Sequence, residues 1–318
     1  MRSVIRAGGG LRRAALGTLV VALLAAGCGS SRPSQLDSAA IVGGTGIPIK
    51  QVQGQIDMVL HKEGDQARAQ LVAGHQLDDV SRQIVTLRIR SMLAELAAKR
   101  DHLSVSSVEV SKLLYQVGGA AAASQGTIWD EDGYRQHAHD QLLMEKLGHN
   151  ALRTAVTVDY TSATTREGAV KRLKELAAAG EAGARNMIRA DVKAGKDAVV
   201  GKRIVAGDDP IFATTPAFGV PRGTVVAFQI ADTKPWLIMV VRDRAANATP
   251  SPQAPNPQDI DPAVFEAIGL RELSPLARAV GVQLNPRYGF WDAVNLQAVP
   301  NANETAGVAE PLRAAGRA

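Results

Sequence analysis

Residues 76–99, QLDDVSRQIVTLRIRSMLAELAAK, decide how the rest of this chain is read. Leu77, Val80, Ile84 and Leu87 recur at helical spacing and form one apolar stripe. Val85, Ile89, Met92, Leu93 and Leu96 form a second stripe on a neighbouring face. A helix that is apolar on two faces has to be wrapped on both. The stretch is therefore a core helix, and the segments on either side of it supply the wrapping.

Working outward towards the N-terminus, Val52, Ile56, Val59 and Leu60 place one face of a helix over 51–63, and 65–73 continues as helix. Before it, AAIVGGTGIPIK (39–50) sets two short apolar runs on either side of Gly43-Gly44-Thr45-Gly46, the pattern of a hairpin. After the core helix, Ser106 with Glu109 three residues on is a capping box opening a short helix to about Val117. The Gly/Ala-rich run 118–127 reads as a mobile connection. Residues 129–152 form another helix, with Tyr134, Ala138, Leu142, Leu143 and Leu147 on its apolar face.

The pattern changes at about Ala155. VTVDYTSA (156–163) reads as a strand, 166–179 as an amphipathic helix, and 198–205 as a second strand. Asp208-Asp209-Pro210 opens a turn or short helix, and 224–230 with 236–242 form an antiparallel pair. Residues 155–244 are thus a small α+β module. Five prolines within 245–262 mark an extended linker. A helix over 263–281 and a strand and turn over 282–300 follow, and 301–318 reads as a disordered tail.

The chain has 318 residues with 46% hydrophobic and 21% charged content, ample for two domains with packed cores. Its net charge of +5 is misleading. Residues 1–27 carry Arg2, Arg6, Arg12 and Arg13 and no acid. Without them 32 basic residues face 31 acidic ones, so a nucleic-acid partner, which needs a clustered basic face, is not expected.

The N-terminus has the form of a secretory signal over 1–27: a basic start, then an apolar run from Ala14 to Ala26. That run is shorter than the roughly 20 residues needed to cross a bilayer. It ends in Leu24-Ala25-Ala26-Gly27-Cys28, which resembles the bacterial lipobox. The resemblance implies lipidation of Cys28, the only cysteine, so no internal disulfide is available. Ala25 stands where that motif most often has Leu. Residues 28–38 are small and polar, as a tether between lipid and domain should be. The expected location is extracytoplasmic, anchored to the cell membrane as a lipoprotein.

Four stretches together resemble the SurA/PrsA-type extracytoplasmic foldases, and within them the SurA N-terminal-domain lipoproteins of high-GC Gram-positive bacteria. They are Ile41-Val42-Gly43-Gly44 with Ile47-Pro48-Ile49, Leu103-Ser104-Val105-Ser106 with Glu109, the run Gln141 to Leu147, and Leu284-Asn285-Pro286-Arg287-Tyr288-Gly289 with Trp291-Asp292. The resemblance implies a mostly helical module over 39–154, completed by 263–300 returning to it. It also implies unfolded or newly exported polypeptides as partners. The 155–244 module looks like a degenerate parvulin domain, the prolyl-isomerase fold. In that family one His lies on the first strand and one on the last. Here Asp159 or Tyr160 stands near the first place and Trp236 in the second, and no His follows His149. Phe212 and Phe218 match apolar pocket positions, with Trp236 on the floor. These three are the candidate peptide-binding residues, although both phenylalanines read equally as core.

Other chemistry is weakly signalled. His137 and His139 sit two apart on a predicted helix and face different ways. Asp130, Glu131 and Asp132 suit a helix start. No catalytic residue, metal or cofactor is assigned. The expected function is an ATP-independent, lipid-anchored chaperone that holds polypeptides in apolar grooves. The alternatives are an active peptidyl-prolyl isomerase and a non-catalytic envelope scaffold with one fixed partner.

Overall fold

The computed structural model describes residues 34–314, apart from 35, 63, 75 and 232. The signal segment 1–27, Cys28 and most of the tether lie outside the described residues, as do the last four positions of the chain.

The described chain is a mixed α+β fold. It opens with β1 (Ser38–Val42) and β2 (Thr45–Pro48), paired antiparallel. Their turn places Gly43 and Gly44 at φ 57° and 84°, left-handed backbone that glycine adopts without a Cβ penalty. Ser38, assigned to the tether by sequence, is already buried in β1. Then come α1 (Ile49–Lys62), α2 (Gly64–Ala73) and the core helix α3 (Leu77–Arg100). Asp78 and Asp79 lie in the first turn of α3 and Lys99 and Arg100 in its last, each sign favourable to the helix dipole. Ile84, Val85, Ile89 and Leu93 are fully buried. At about 1.5–3 kcal/mol for each buried side chain, these four anchor the core. The helix is wrapped by α1, β1, α6, α9 and β9, the last three described below.

Next come α4 (Ser107–Gln116), α5 (Ala120–Ala123) and α6 (Glu131–Ala151). At the start of α4 both arms of the capping box form. The Ser106 hydroxyl accepts from the Glu109 N–H, and the Glu109 carboxylate accepts from the Ser106 N–H at 2.8 Å. Residues 118–127, read as mobile, are instead structured around α5. Ala120 and Ser124 are buried, and the Lys62 ammonium donates to the carbonyls of Ser124, Thr127 and Trp129, which fixes the loop.

The second half comprises β3 (Ala155–Ala163), α7 (Arg166–Lys193), β4 (Ala198–Val205), α8 (Pro210–Ala213), β5 (Thr224–Gln229) and β6 (Trp236–Ala245). The chain closes with α9 (Pro262–Val280), β7 (Val282–Leu284), β8 (Phe290–Asp292), β9 (Gln297–Val299) and β10 (Gly307–Pro311). One antiparallel sheet has the order β10-β5-β6-β3-β4. Side chains alternate across it. Val225, Ala227, Trp236, Ile238 and Val240 face α7, while Val226, Phe228, Met239 and Val241 face α8 and the start of α9. The helix α7 runs on to Lys193, breaking at Gly180, whose φ of 66° and ψ of −174° are not helical.

The C-terminal segment joins the two halves. Strand β7 pairs with β1 through Ala40–Leu284 and Val42–Val282. Helix α9 sends Leu273 and Ala277 into the core around α3, and Phe265 and Ile268 into the core under the sheet. Helices α6 and α9 cross at two glycines. A Cβ on Gly148 would sit against the Phe265 backbone, and one on Gly269 against the Met144 backbone.

Two sequence expectations are corrected here. The tail 301–318 is not disordered over its described part: β10 pairs with β5 along five residue pairs, and Arg313 N–H then donates to the Ala177 carbonyl at 2.8 Å. The edge of β5 would otherwise present unpaired backbone, and β10 satisfies it. The proline-rich segment 245–262 is not a free linker either. Ala248 is buried with its N–H on the Arg153 carbonyl, and Ser251 N–H donates to Asp208 at 2.6 Å.

Candidate functional site

One concavity of the helical half lies between α3, α6 and α9. Leu87, Arg90 and Ala94 come from α3, Met144 and Gln141 from α6, and Leu270 and Glu266 from α9. Trp129 closes one end, stacked on His137 at 5.7 Å with an interplanar angle of 23°. The cavity holds about 290 Å³, and most of its lining is apolar. Arg90, Ser91, His137, Asp140, Gln141 and Glu266 also border it, and Gln141 donates to Glu266 at 2.6 Å, bridging α6 to α9. Burial raises the Glu266 pKa, Gln141 opposes that, and the charges of Glu145 and Asp261 add to it. Burial lowers the His137 pKa, with Asp140 opposing, so the imidazole beside Trp129 favours its neutral, weakly hydrated form. Helical periodicity suggests apolar faces on α3 and α6, but nothing in the local pattern pairs them with α9, more than 100 residues away.

A second, open trough runs beside it. Met92 and Leu96 of α3, Leu143 of α6, the β1–β2 turn and Leu103–Val105 line it. Leu96 is 38% exposed there, which departs from its place on a core stripe. Of the methionines with adaptable side chains, Met144 lines the first cavity, Met92 the trough, and Met58 is half-buried on α1.

On the sheet side, the three residues expected to bind peptide do not converge. Phe212 is half-buried in α8 and lines a groove of about 500 Å³ with Ile211, Pro216, Phe228 and Ile230. Phe218 lies behind it, edge-on at 6.3 Å and 1% exposed, so it is core and not contact surface. Trp236 is on the other face of the sheet, packed with Ala169 and Leu173 of α7, with the Arg166 guanidinium 6.0 Å from its ring. The reason is the strand period: Trp236 opens β6 in the parity of Ile238 and Val240, whereas the groove face takes Leu237, Met239 and Val241.

Asp159 and Tyr160 separate in the same way. Tyr160 packs against the cluster containing Phe212 and Phe218. Asp159 is fully buried; its Oδ1 accepts from Gly201 N–H at 2.7 Å, and its Oδ2 lies 3.3 Å from Arg242 Nε. Close by, Asp191 takes Arg172, Lys196 and Thr161. Burial would raise its pKa, but these hydrogen bonds outweigh that and bring it below the usual carboxylate range.

His137 and His139 face different ways: His137 lines the helical cavity and His139 the trough. His139 instead meets Glu95 and Asp140, whose ligand atoms all lie within 4.8 Å of one another and of its own. Glu95 belongs to another helix, so sequence spacing could not reveal this group. Among the described residues no helix is long and apolar enough to cross a membrane. No family model matches the chain, and no curated protein matches it in sequence.

Proposed function

We propose that this chain is a lipid-anchored extracytoplasmic chaperone that holds unfolded or newly exported polypeptides without ATP and without a covalent step. The observation that carries the reading is the apolar cavity between α3, α6 and α9. Leu87, Met144, Leu270 and Trp129 line it, and of the polar groups at its border Arg90, Gln141 and Glu266 are already hydrogen-bonded within the fold. Such a lining accepts apolar side chains of many sequences, and a flexible methionine adapts to their shapes. The lipobox-like end at Cys28 and the resemblance to SurA N-terminal-domain lipoproteins support the extracytoplasmic placement. The strand, helix, strand, apolar loop and terminal hairpin of residues 155–245 support a parvulin-like second half, lacking the family's histidines.

The test is suppression of aggregation of several unrelated unfolded proteins by the full chain, without nucleotide. Met144→Glu, which places a charge in the cavity, is expected to abolish suppression while the variant still unfolds cooperatively. Binding of one envelope partner with no suppression of any unrelated client would establish the scaffold reading instead. In cells, acyl-chain labelling of the wild-type chain, lost in Cys28→Ala together with membrane retention, tests the anchor.

A further inference from the structure

The groove beside Phe212 has an apolar rim and a cationic floor. Ile211 and Ile230 stand out from the rim, 66% and 54% exposed, with Phe212 and Pro216 between them. The floor holds Arg271 from α9, Asn295 from the turn before β9, and Thr215. Arg271 is 8% exposed and Thr215 7%.

Arg271 uses only one of its nitrogens. Nη1 donates to the Val294 carbonyl at 3.0 Å and to Asn295 Oδ1 at 3.2 Å. Its buried Nε has no hydrogen-bond partner, and neither has the Thr215 hydroxyl. Nη2 donates to no described residue, and no described carboxylate lies within ion-pair distance of the guanidinium. The nearest acid, Asp292, is already committed. Its Oδ1 accepts from the N–H groups of Val294 and Asn295, and its Oδ2 accepts from Ala306. Arg90, a half-buried cation of this region, donates from Nε and Nη2 to the carbonyls of Leu296 and Asn295. A buried guanidinium without an anion is costly. The edge left open, Nε with Nη2, is the edge that takes a carboxylate through two parallel hydrogen bonds.

Burial brings the Arg271 pKa down to about 10, helped by the like charge of Arg90 and opposed by Asp292. The group is therefore still a cation at neutral pH. Asp209 on the rim is the one acid among the groove's lining residues, and its Oδ1 is turned to cap the Phe212 N–H at 3.0 Å.

We propose that this groove is a carboxylate subsite for the C-terminal residue of a bound polypeptide. The α-carboxylate meets the Nε–Nη2 edge of Arg271 and the Thr215 hydroxyl, and an apolar terminal side chain packs on Phe212, Ile211 and Ile230. The proposal rests on the polypeptide-binding reading and adds a preference for chain ends that are apolar and free.

The experiment is a fluorescence-anisotropy titration of the full chain with a labelled hexapeptide ending in Leu, as the free acid and as the C-terminal amide. The free acid is expected to bind at least about tenfold more tightly, the scale of a charged hydrogen-bonded contact. Arg271→Gln should remove that difference. Because Arg271 also holds the turn at 294–295, a second variant is needed. Ile211→Glu changes an exposed rim position; it should weaken the acid severalfold, through the lost apolar contact and repulsion of the carboxylate, and the amide less, through the lost contact alone. Equal affinity for acid and amide, indifference of the acid to Ile211→Glu, or binding of neither peptide would overturn the subsite. Aggregation suppression by the same preparation separates the two ideas: clients held with no acid preference refute the subsite alone, and clients not held refute the chaperone reading.

Discussion

Replacing Gly269 with Ala tests the crossing of α6 and α9 that joins the two halves of the fold. The site is reciprocal. Gly148 of α6 lies against Phe265 of α9, and Gly269 of α9 lies against Met144 of α6, each pair being residue i of one helix against the glycine of the other. An added Cβ would lie 2.6 Å from the Phe265 carbonyl carbon at position 148, and 2.9 Å from the Met144 carbonyl carbon at position 269. Ordinary contact begins at 3.4 Å, and backbone atoms cannot rotate aside. The carbonyl oxygens of Phe265 and Met144 lie closer still, so the helices must part by about an ångström or more, which forfeits up to about half of the dispersion wells at the crossing. Overpacking of this kind costs about 1–3 kcal/mol or more, and alanine's better helix propensity returns about 1 kcal/mol. The stacking of His149 on Phe265, with ring centroids 3.7 Å apart, would be disturbed as well. Because the blocking atoms are backbone, the upper end of that range applies, and we expect a net loss of about 2 kcal/mol for either variant, which lowers Tm by roughly 4–8 °C in a chain of this size. The double variant should lose less than the sum, because helices already parted have room for the second methyl. Gly54→Ala is the control. It also lies within a helix but has no atom within 4 Å of its Cβ position, and should gain up to about 1 kcal/mol. Thermal and urea unfolding followed by circular dichroism measures all four. If Gly269→Ala melts with or above the wild type, the close crossing is wrong.

Three further outcomes are expected. The full chain should not accelerate prolyl isomerisation of a tetrapeptide above its uncatalysed exchange over tens of seconds; acceleration lost in Phe212→Ala would instead establish the isomerase reading. The Glu109 pKa is lowered to about 2, first by the hydrogen bond from Lys146 and then by those from the Ser106 backbone and hydroxyl. A depressed folded pKa stabilises above the ordinary glutamate pKa, so the stability difference between wild type and Glu109→Gln should be full at neutral pH and vanish as pH falls from 4.5 towards 2 in pH-resolved urea titrations. Ending the chain after Thr305 removes β10 and bares the edge of β5; lower Tm and self-association in light scattering are expected, and an unchanged monomer would refute the role given to that strand.

Much of the local structure was legible. The two apolar stripes of α3, the Ser106–Glu109 capping box, the β5–β6 pair and the glycine turn after β1 follow from periods of 3.6 and 2 and from capping chemistry, which act between residues a few positions apart. Errors fell where a distant partner supplies the order. The run 118–127 is rich enough in glycine and alanine to read as mobile until Lys62 donates to the carbonyls of Ser124, Thr127 and Trp129. The last residues lack a core of their own and become a strand only because β5 has an open edge.

The candidate sites divide along the same line. Phe212 was reachable from its match to an apolar pocket position of the resembled family, but the place of Trp236 depends on which parity of β6 faces α8, and that of Phe218 on the core its short turn packs into. Sequence alone determined a basic and then apolar N-terminal run before the only cysteine, a twice-apolar core helix and a mixed α+β body, because composition and periodicity are properties of neighbouring residues. Only the tertiary structure decided that α9 lies against α6 through two glycines, that it thereby closes an apolar cavity, and that it carries Arg271 under the Phe212 groove without an acid beside it. Each of those facts depends on groups far apart in the chain, brought together by the burial of apolar surface that no single segment can complete.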